Sequence, residues 1–165
     1  MSGGAAVAAA ISAHLHSEGD RYAHVVATRD HHIDPGHHFA EQPDFLETWP
    51  AHCVVGSEGV ELHPALDREA LEAIFDKGEH AAAYSGFEGA SDGVPLADWL
   101  RERGVGAVDV VGIATDHCVR ATALDAAAEG LSTRVLIDLT AAVAEETTRI
   151  ALEQFSSAGV EVVRG

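Results

Sequence analysis

The sequence is short of cations, of cysteine and of long apolar runs. Only 10 Lys and Arg stand against 27 Asp and Glu, for a formal net charge of −17. That balance excludes nucleic acid and an anionic membrane surface as partners and favours solubility. The acidic residues are dispersed rather than blocked, so they read as a solvated surface. Two cysteines, Cys53 and Cys118, cannot make a disulfide framework in 165 residues. Free thiols fit a reducing compartment, so the cytoplasm is expected. No stretch approaches the length of a transmembrane helix, and no charged segment leads into an apolar run as in a signal peptide. The length points to one domain over residues 1–165 with one sizeable core.

Helical and extended patterns alternate along the chain. Helices are expected at Ala5–Ser17 (Val7, Ile11 and Leu15 on one stripe), Pro95–Arg103, Asp116–Glu129 and Glu145–Ala158, with Gly19, Gly104 and Gly130 as stops for the first three. Strands are expected at His24–Thr28, Ala73–Lys77, Val108–Ile113, Arg134–Leu139 and Val160–Val163. Alternating βα units with continuously apolar strands imply an α/β fold with a parallel sheet covered by helices on both faces. Asp30 to His63 has little periodicity and reads as a long loop, which in a compact domain is usually functional.

Histidine is the anomaly. There are 11, and His31, His32, His37, His38 and His52 all fall in or at the edge of that loop. In an extended segment Asp30 and His32 point to one side. Pro35 and Gly36 then turn the chain and let His38 swing back, with His52 following. One carboxylate and three imidazoles suit a divalent zinc, iron or manganese ion. Spacing alone leaves open a histidine-rich loop without metal, and His31 or His37 as alternative ligands.

Val110 to Arg120 runs from a strand straight into a helix, with Cys118 in the expected first turn. Free N–H groups and the helix dipole there favour a thiolate and lower the thiol pKa. The same groups could bind an oxyanion. A small buried cysteine filling the junction is the competing reading. Cys53, without a helix N-terminus, reads as structural. Lys77 ends a strand and could face the carboxyl edge of the sheet, but by residue type alone it is expected to be exposed.

Taken together, Val25–Phe39, Thr48–Cys53, Lys77-Gly78, Ala83–Phe87 and Val111–Arg120 resemble the nicotinamidase/pyrazinamidase branch of the isochorismatase-like hydrolases. The stretches occur in the family's order. The resemblance implies a Rossmann-like three-layer sandwich. It also implies hydrolysis of nicotinamide and similar aromatic amides, such as pyrazinamide, through a cysteine thioester in pyridine nucleotide salvage. By resemblance, Asp30, His32, His38 and His52 match the metal ligands, Cys118 the nucleophile and Lys77 the catalytic lysine. Ala114 and Cys118 match the oxyanion hole, beside a peptide bond usually cis in the family. Trp49, Tyr84 and His117 match residues lining the pyridine pocket. The implied partner is a small-molecule substrate, with a homo-oligomer left open.

The resemblance has one departure. The family opens with a strand carrying an Asp-x-Gln-x-Asp-Phe-like motif, whose first aspartate transfers the proton. This sequence contains no such segment, and its first aspartate, Asp20, lies between a helix and a strand. The expectation is therefore an N-terminally incomplete domain, with the first strand missing from the middle of the sheet and the edges of two neighbours exposed. Two further expectations compete: an inactive metal-binding homologue, and an amidase for another small amide.

Overall fold

The molecule, seen in a computed structural model that describes residues 3–164, is built from seven strands and four α-helices among those residues. Helix α1 (Gly4–Glu18) is alanine-rich, a composition that favours helix by propensity alone. It buries Val7, Ala8 and Ser12 rather than the full expected stripe. The reason is polar: Ser12 Oγ donates to Ala65 O (2.8 Å) and accepts from Asp67 N (2.8 Å), which turns that face toward the segment between the long loop and the second strand.

Strands β1 (Val26–Asp30) and β2 (Ala73–Lys77) pair in parallel, from Val26 opposite Ala73 to Asp30 opposite Lys77. Beyond them, β3 (Ala90–Ser91) and β4 (Val94–Pro95) add an antiparallel hairpin. Its two-residue turn is Asp92-Gly93, both at positive φ (50° and 79°), the conformation such turns require. Helix α2 (Leu96–Glu102) follows at once. Strands β5 (Ala107–Ile113), β6 (Ser132–Ala141) and β7 (Glu161–Val163) form a second, parallel sheet. Helices α3 (Arg120–Ala128) and α4 (Glu145–Ala158) make its crossovers, and Gly159 ends α4 at a φ of 75°.

The expected α/β fold of parallel strands and helices is present, with one addition, an antiparallel hairpin whose two-residue strands are too short to show a period. Among the described residues the strands form sheets of four and three, ordered β1-β2-β3-β4 and β5-β6-β7, in keeping with the expected gap in the middle of the sheet. Among the described residues, β1 and β5 each have one partner and one free edge, and every residue of β1 remains half-buried. Each half has its own core: Phe75, Leu96, Trp99 and Leu100 in one, Val119, Ala123, Val135, Ala151, Phe155 and Val160 in the other. Side chains bridge the halves, with Tyr22 Oη donating to Asp109 (2.9 Å) and Gly86 N donating to Thr122 Oγ1 (2.8 Å).

Candidate active site

Three polar residues meet at the carboxyl ends of the strands, where open α/β sheets place their ligands. Asp30 and Lys77 are the last residues of β1 and β2 and lie opposite one another in register. The Lys77 ammonium donates to Asp30 Oδ1, to Ala83 O (2.7 Å) and to Cys118 Sγ (3.7 Å). Lys77 is only 3% exposed, which overturns the expectation of a surface lysine. A buried ammonium persists where it is paired. Burial pulls its pKa down, but Cys118 and Asp30 outweigh that and hold it above the usual lysine value.

Cys118 follows β5, but not in the first turn of α3. It sits in a single π-helical turn, Thr115–Val119, closed by Val119 N donating to Ala114 O at 3.0 Å. Such turns are frequent at functional sites. The Ile113–Ala114 peptide bond is cis. The expected lowering of the thiol pKa is overturned. Burial raises it, Lys77 and the Ala114 N–H pull it back in part, Asp30 pushes it further up, and the net direction is up.

Beside this group stand three imidazoles. The rings of His32, His38 and His52 lie 5.0–5.2 Å apart between centroids, and one ring nitrogen of each lies within 4.8 Å of the others. His32 Nδ1 is bonded to Gly78 O (2.6 Å) and His52 Nδ1 to Pro50 O (2.8 Å). Gly78 is a necessary neighbour, since a Cβ there would stand 2.7 Å from the His32 ring. His32 Nε2 and His38 Nδ1 are buried and have no partner. Two orphaned nitrogens converging on one point fit a borderline divalent cation such as zinc. Burial, then His32 and His52, lower the His38 pKa and keep it in the neutral, ligating form.

The fourth expected ligand stands slightly apart. Asp30 is paired with Lys77, and it groups with His52 and Cys53 rather than with the full imidazole set. The alternatives His31 and His37 lie outside: His31 pairs with Glu79 (3.3 Å), and His37 is exposed.

Trp49, Tyr84 and His117 come together as expected. Trp49 Nε1 donates to Tyr84 Oη (3.0 Å), and Tyr84 Oη donates to Leu46 O (3.3 Å). The His117 ring lies edge-on to Trp49 at 5.1 Å and 5.8 Å from Tyr84. The loop bearing Trp49 is set by Asp44, whose Oδ1 accepts from the N–H groups of Leu46, Glu47 and Thr48 at 2.9 Å each. Those bonds hold its carboxyl well below the usual range.

Sequence reasoning missed Asp116. It is 1% exposed, and its carboxylate accepts from Val143 N (2.9 Å), Ala144 N (3.1 Å) and Thr147 Oγ1 (2.5 Å). Its one signal was its place two residues before Cys118.

Known proteins resemble this chain in sequence and fold. The nicotinamidase/pyrazinamidase of Mycobacterium tuberculosis is 58% identical over 164 residues, covering 99% of this chain and 88% of that protein. The pyrazinamidase of Pyrococcus horikoshii, solved in complex with zinc, is 34% identical with a TM-score of 0.82, covering 99% of this chain and 87% of that one. PnC1 from L. infantum, solved in complex with nicotinate, is 34% identical with a TM-score of 0.84, covering 99% and 81%. The family model described as the isochorismatase domain matches residues 2–165. This chain therefore belongs to the isochorismatase domain family, in its nicotinamidase/pyrazinamidase branch.

Proposed function

We propose that this chain hydrolyses nicotinamide, and similar aromatic amides such as pyrazinamide, to the acid and ammonia through a thioester on Cys118. The observation that carries the reading is the Lys77 ammonium 3.7 Å from Cys118 Sγ, beside an aromatic slot and a convergent set of imidazoles. The flat ring lies among Trp49, Tyr84 and His117, with its carboxamide toward Cys118. The thiolate attacks the carboxamide carbon, forming a C–S bond. The N–H groups of Ala114 and Cys118 receive the developing oxyanion, and Lys77 adds positive charge nearby. The C–N bond then breaks as the leaving nitrogen takes from solvent the proton that Cys118 lost on ionising, ammonia departs, and water adds to the thioester carbonyl and breaks the C–S bond, its two hydrogens ending on the acid and the Cys118 thiol.

Proton transfer is the demanding step in this sequence. Lys77 is held as the ammonium and donates. Among the described residues, no carboxylate hydrogen-bonds Cys118 Sγ. Burial holds the Cys118 thiol above its ordinary value, so the attacking thiolate, and with it turnover, increases as pH rises. His32, His38 and His52, with Asp30 beside them, would hold a divalent metal ion, which when bound supplies Lewis acidity toward the ring nitrogen or its bound water.

Ammonia release from nicotinamide by the 165-residue chain, supplied with divalent metal, tests the reading. Cys118→Ala should abolish it. Substantial release by that variant would place the nucleophile elsewhere. A chain that binds zinc stoichiometrically yet releases no ammonia would favour a metal-binding homologue without turnover instead.

A further inference from the structure

The turn that carries Cys118 is tied to the sheet by a hydroxyl that the mechanism above does not use. Thr115, the first residue of that turn, is only 2% exposed. Its Oγ1 donates to Thr140 Oγ1 (2.8 Å), and Thr140 Oγ1 donates to Ile137 O (2.9 Å). Each hydroxyl has one proton, so the second bond fixes the direction of the first.

An irregularity in the sheet brings the partner into place. Val110 lies opposite Val135, yet Gly112 lies opposite Thr140. Two steps along β5 are matched by five along β6, so three residues of β6 bulge out of the ladder. Unbroken register would set Gly112 against Ile137, the residue whose carbonyl the Thr140 hydroxyl bonds across the bulge. Bulges beside active sites re-aim side chains, and this one carries Thr140 to the end of β5, within reach of Thr115.

Thr115 directly follows the residue whose amide matters. The Ala114 N–H is among the groups that lower the Cys118 thiol, so it faces the reacting sulfur. Ala114 O accepts from His117 N (3.1 Å) and Val119 N (3.0 Å), two bonds that lie within the turn and move with it. The turn is anchored to neighbouring elements through two side chains: Asp116 to the start of α4, and Thr115 to β6. A backbone donor serves a developing oxyanion only from a fixed place about 3 Å away.

We propose that Thr115 is a positioning residue for the oxyanion site: through Thr140 its hydroxyl holds the Ala114 N–H where the oxygen of a Cys118 adduct develops its charge. The proposal rests on Cys118 being the nucleophile.

The test uses nicotinaldehyde, to whose carbonyl a thiol adds without a leaving group. The Cys118 sulfur forms a C–S bond, the carbonyl π electrons pass to oxygen, and a proton from solvent replaces on that oxygen the one the thiol lost. The adduct places an oxygen in the oxyanion site, whereas nicotinate fills the aromatic slot without a bond to sulfur. In Thr115→Val, aldehyde affinity measured by isothermal titration should fall about tenfold with nicotinate affinity unchanged, because a displaced donor fails the adduct oxygen alone. Thr115→Ser keeps the hydroxyl and should restore it. Turnover of nicotinamide should split likewise, with kcat down about tenfold and KM within a factor of about two. Equal aldehyde affinity in Thr115→Val and the wild-type chain overturns the proposal. So does parallel loss of both ligands, which would make the hydroxyl a prop for the whole slot, and so does a Thr115→Ser variant as weak as Thr115→Val. A wild-type chain that forms no aldehyde adduct overturns the Cys118 reading itself, a result distinct from these. Should Thr115→Val fail to fold, Thr140→Ala breaks the same bond from its half-buried partner and must give the same split.

Discussion

Asp116 holds the two residues that lead into a helix to which it does not belong. Its Oδ2 accepts from Ala144 N, the residue that opens α4 and has no capping side chain of its own. With Val143 N and Thr147 Oγ1 on the same carboxylate, the turn that carries Cys118 is pinned to the start of α4. Asp116→Ala removes a buried carboxylate that accepts three hydrogen bonds and should destabilise the fold by about 3 kcal/mol in urea unfolding. Burial opposes ionisation of this carboxyl, but Thr147 and the backbone N–H groups outweigh it, so its folded pKa lies below the unfolded value. Its contribution is therefore complete above about pH 4 and is lost as pH falls through the lower folded pKa. Asp116→Asn should flatten that acid limb. An unchanged acid limb would remove Asp116 as its source.

The reactivity of Cys118 should follow Lys77. Burial raises this thiol, Lys77 lowers it, Asp30 raises it and the Ala114 N–H lowers it. In a Cys53→Ser background, alkylation by iodoacetamide should keep rising with pH beyond the ordinary thiol value of about 8.5. Lys77→Met keeps the length of the side chain and removes the charge. It should slow alkylation at neutral pH by about tenfold or more, equivalent to one pKa unit. Equal rates in the two proteins would show that the 3.7 Å contact has no electrostatic effect on the thiol.

Much of this architecture was legible in residue order, for reasons that differ by element. Helix α4 was read at Glu145–Ala158, its observed bounds, because its apolar stripe on Ala151 and Phe155 is clean. Helix α1 keeps its expected stripe at least half-buried at Val7, Ile11 and Leu15, but Ser12 is buried by hydrogen bonds that no hydrophobic pattern encodes. Loop length and Pro35-Gly36 made a histidine cluster legible but left His31 and His37 as alternatives to His32 and His38, and the pairing of Asp30 with Lys77 depends on strand register. The burial of Lys77 and the upward shift of Cys118 depend on which groups surround them in space. Asp116 was illegible because its partners lie 27–31 residues downstream.

Metal content should separate the clustered imidazoles from the exposed one. His52 belongs to both donor groups, and His37 to neither. His52→Ala should weaken zinc binding by about tenfold or more, in line with the loss of a direct ligand. His37→Ala should leave it unchanged. Zinc binding is best read by competition with a chromophoric chelator. Equal affinity in the two variants would place the metal elsewhere.

Tyr84 separates binding of the ring from chemistry on the amide. Its Oη accepts from Trp49 Nε1 and donates to Leu46 O, so one hydroxyl joins two parts of the long loop to the segment after β2. Its ring also faces His117 and His38. Tyr84→Phe keeps the ring contacts and removes both bonds, which releases Trp49 while leaving Cys118 and Lys77 in place. Losing a neutral hydrogen bond is worth about 1 kcal/mol. If Trp49 holds the ring as proposed, alike in ground and transition states, the KM for nicotinamide should rise about fivefold, with kcat within a factor of about two. Tyr84→Ala, which also opens the slot, should raise KM further. A fall in kcat at constant KM in Tyr84→Phe would instead give the hydroxyl a role at the reacting amide, and the slot would no longer account for ring binding.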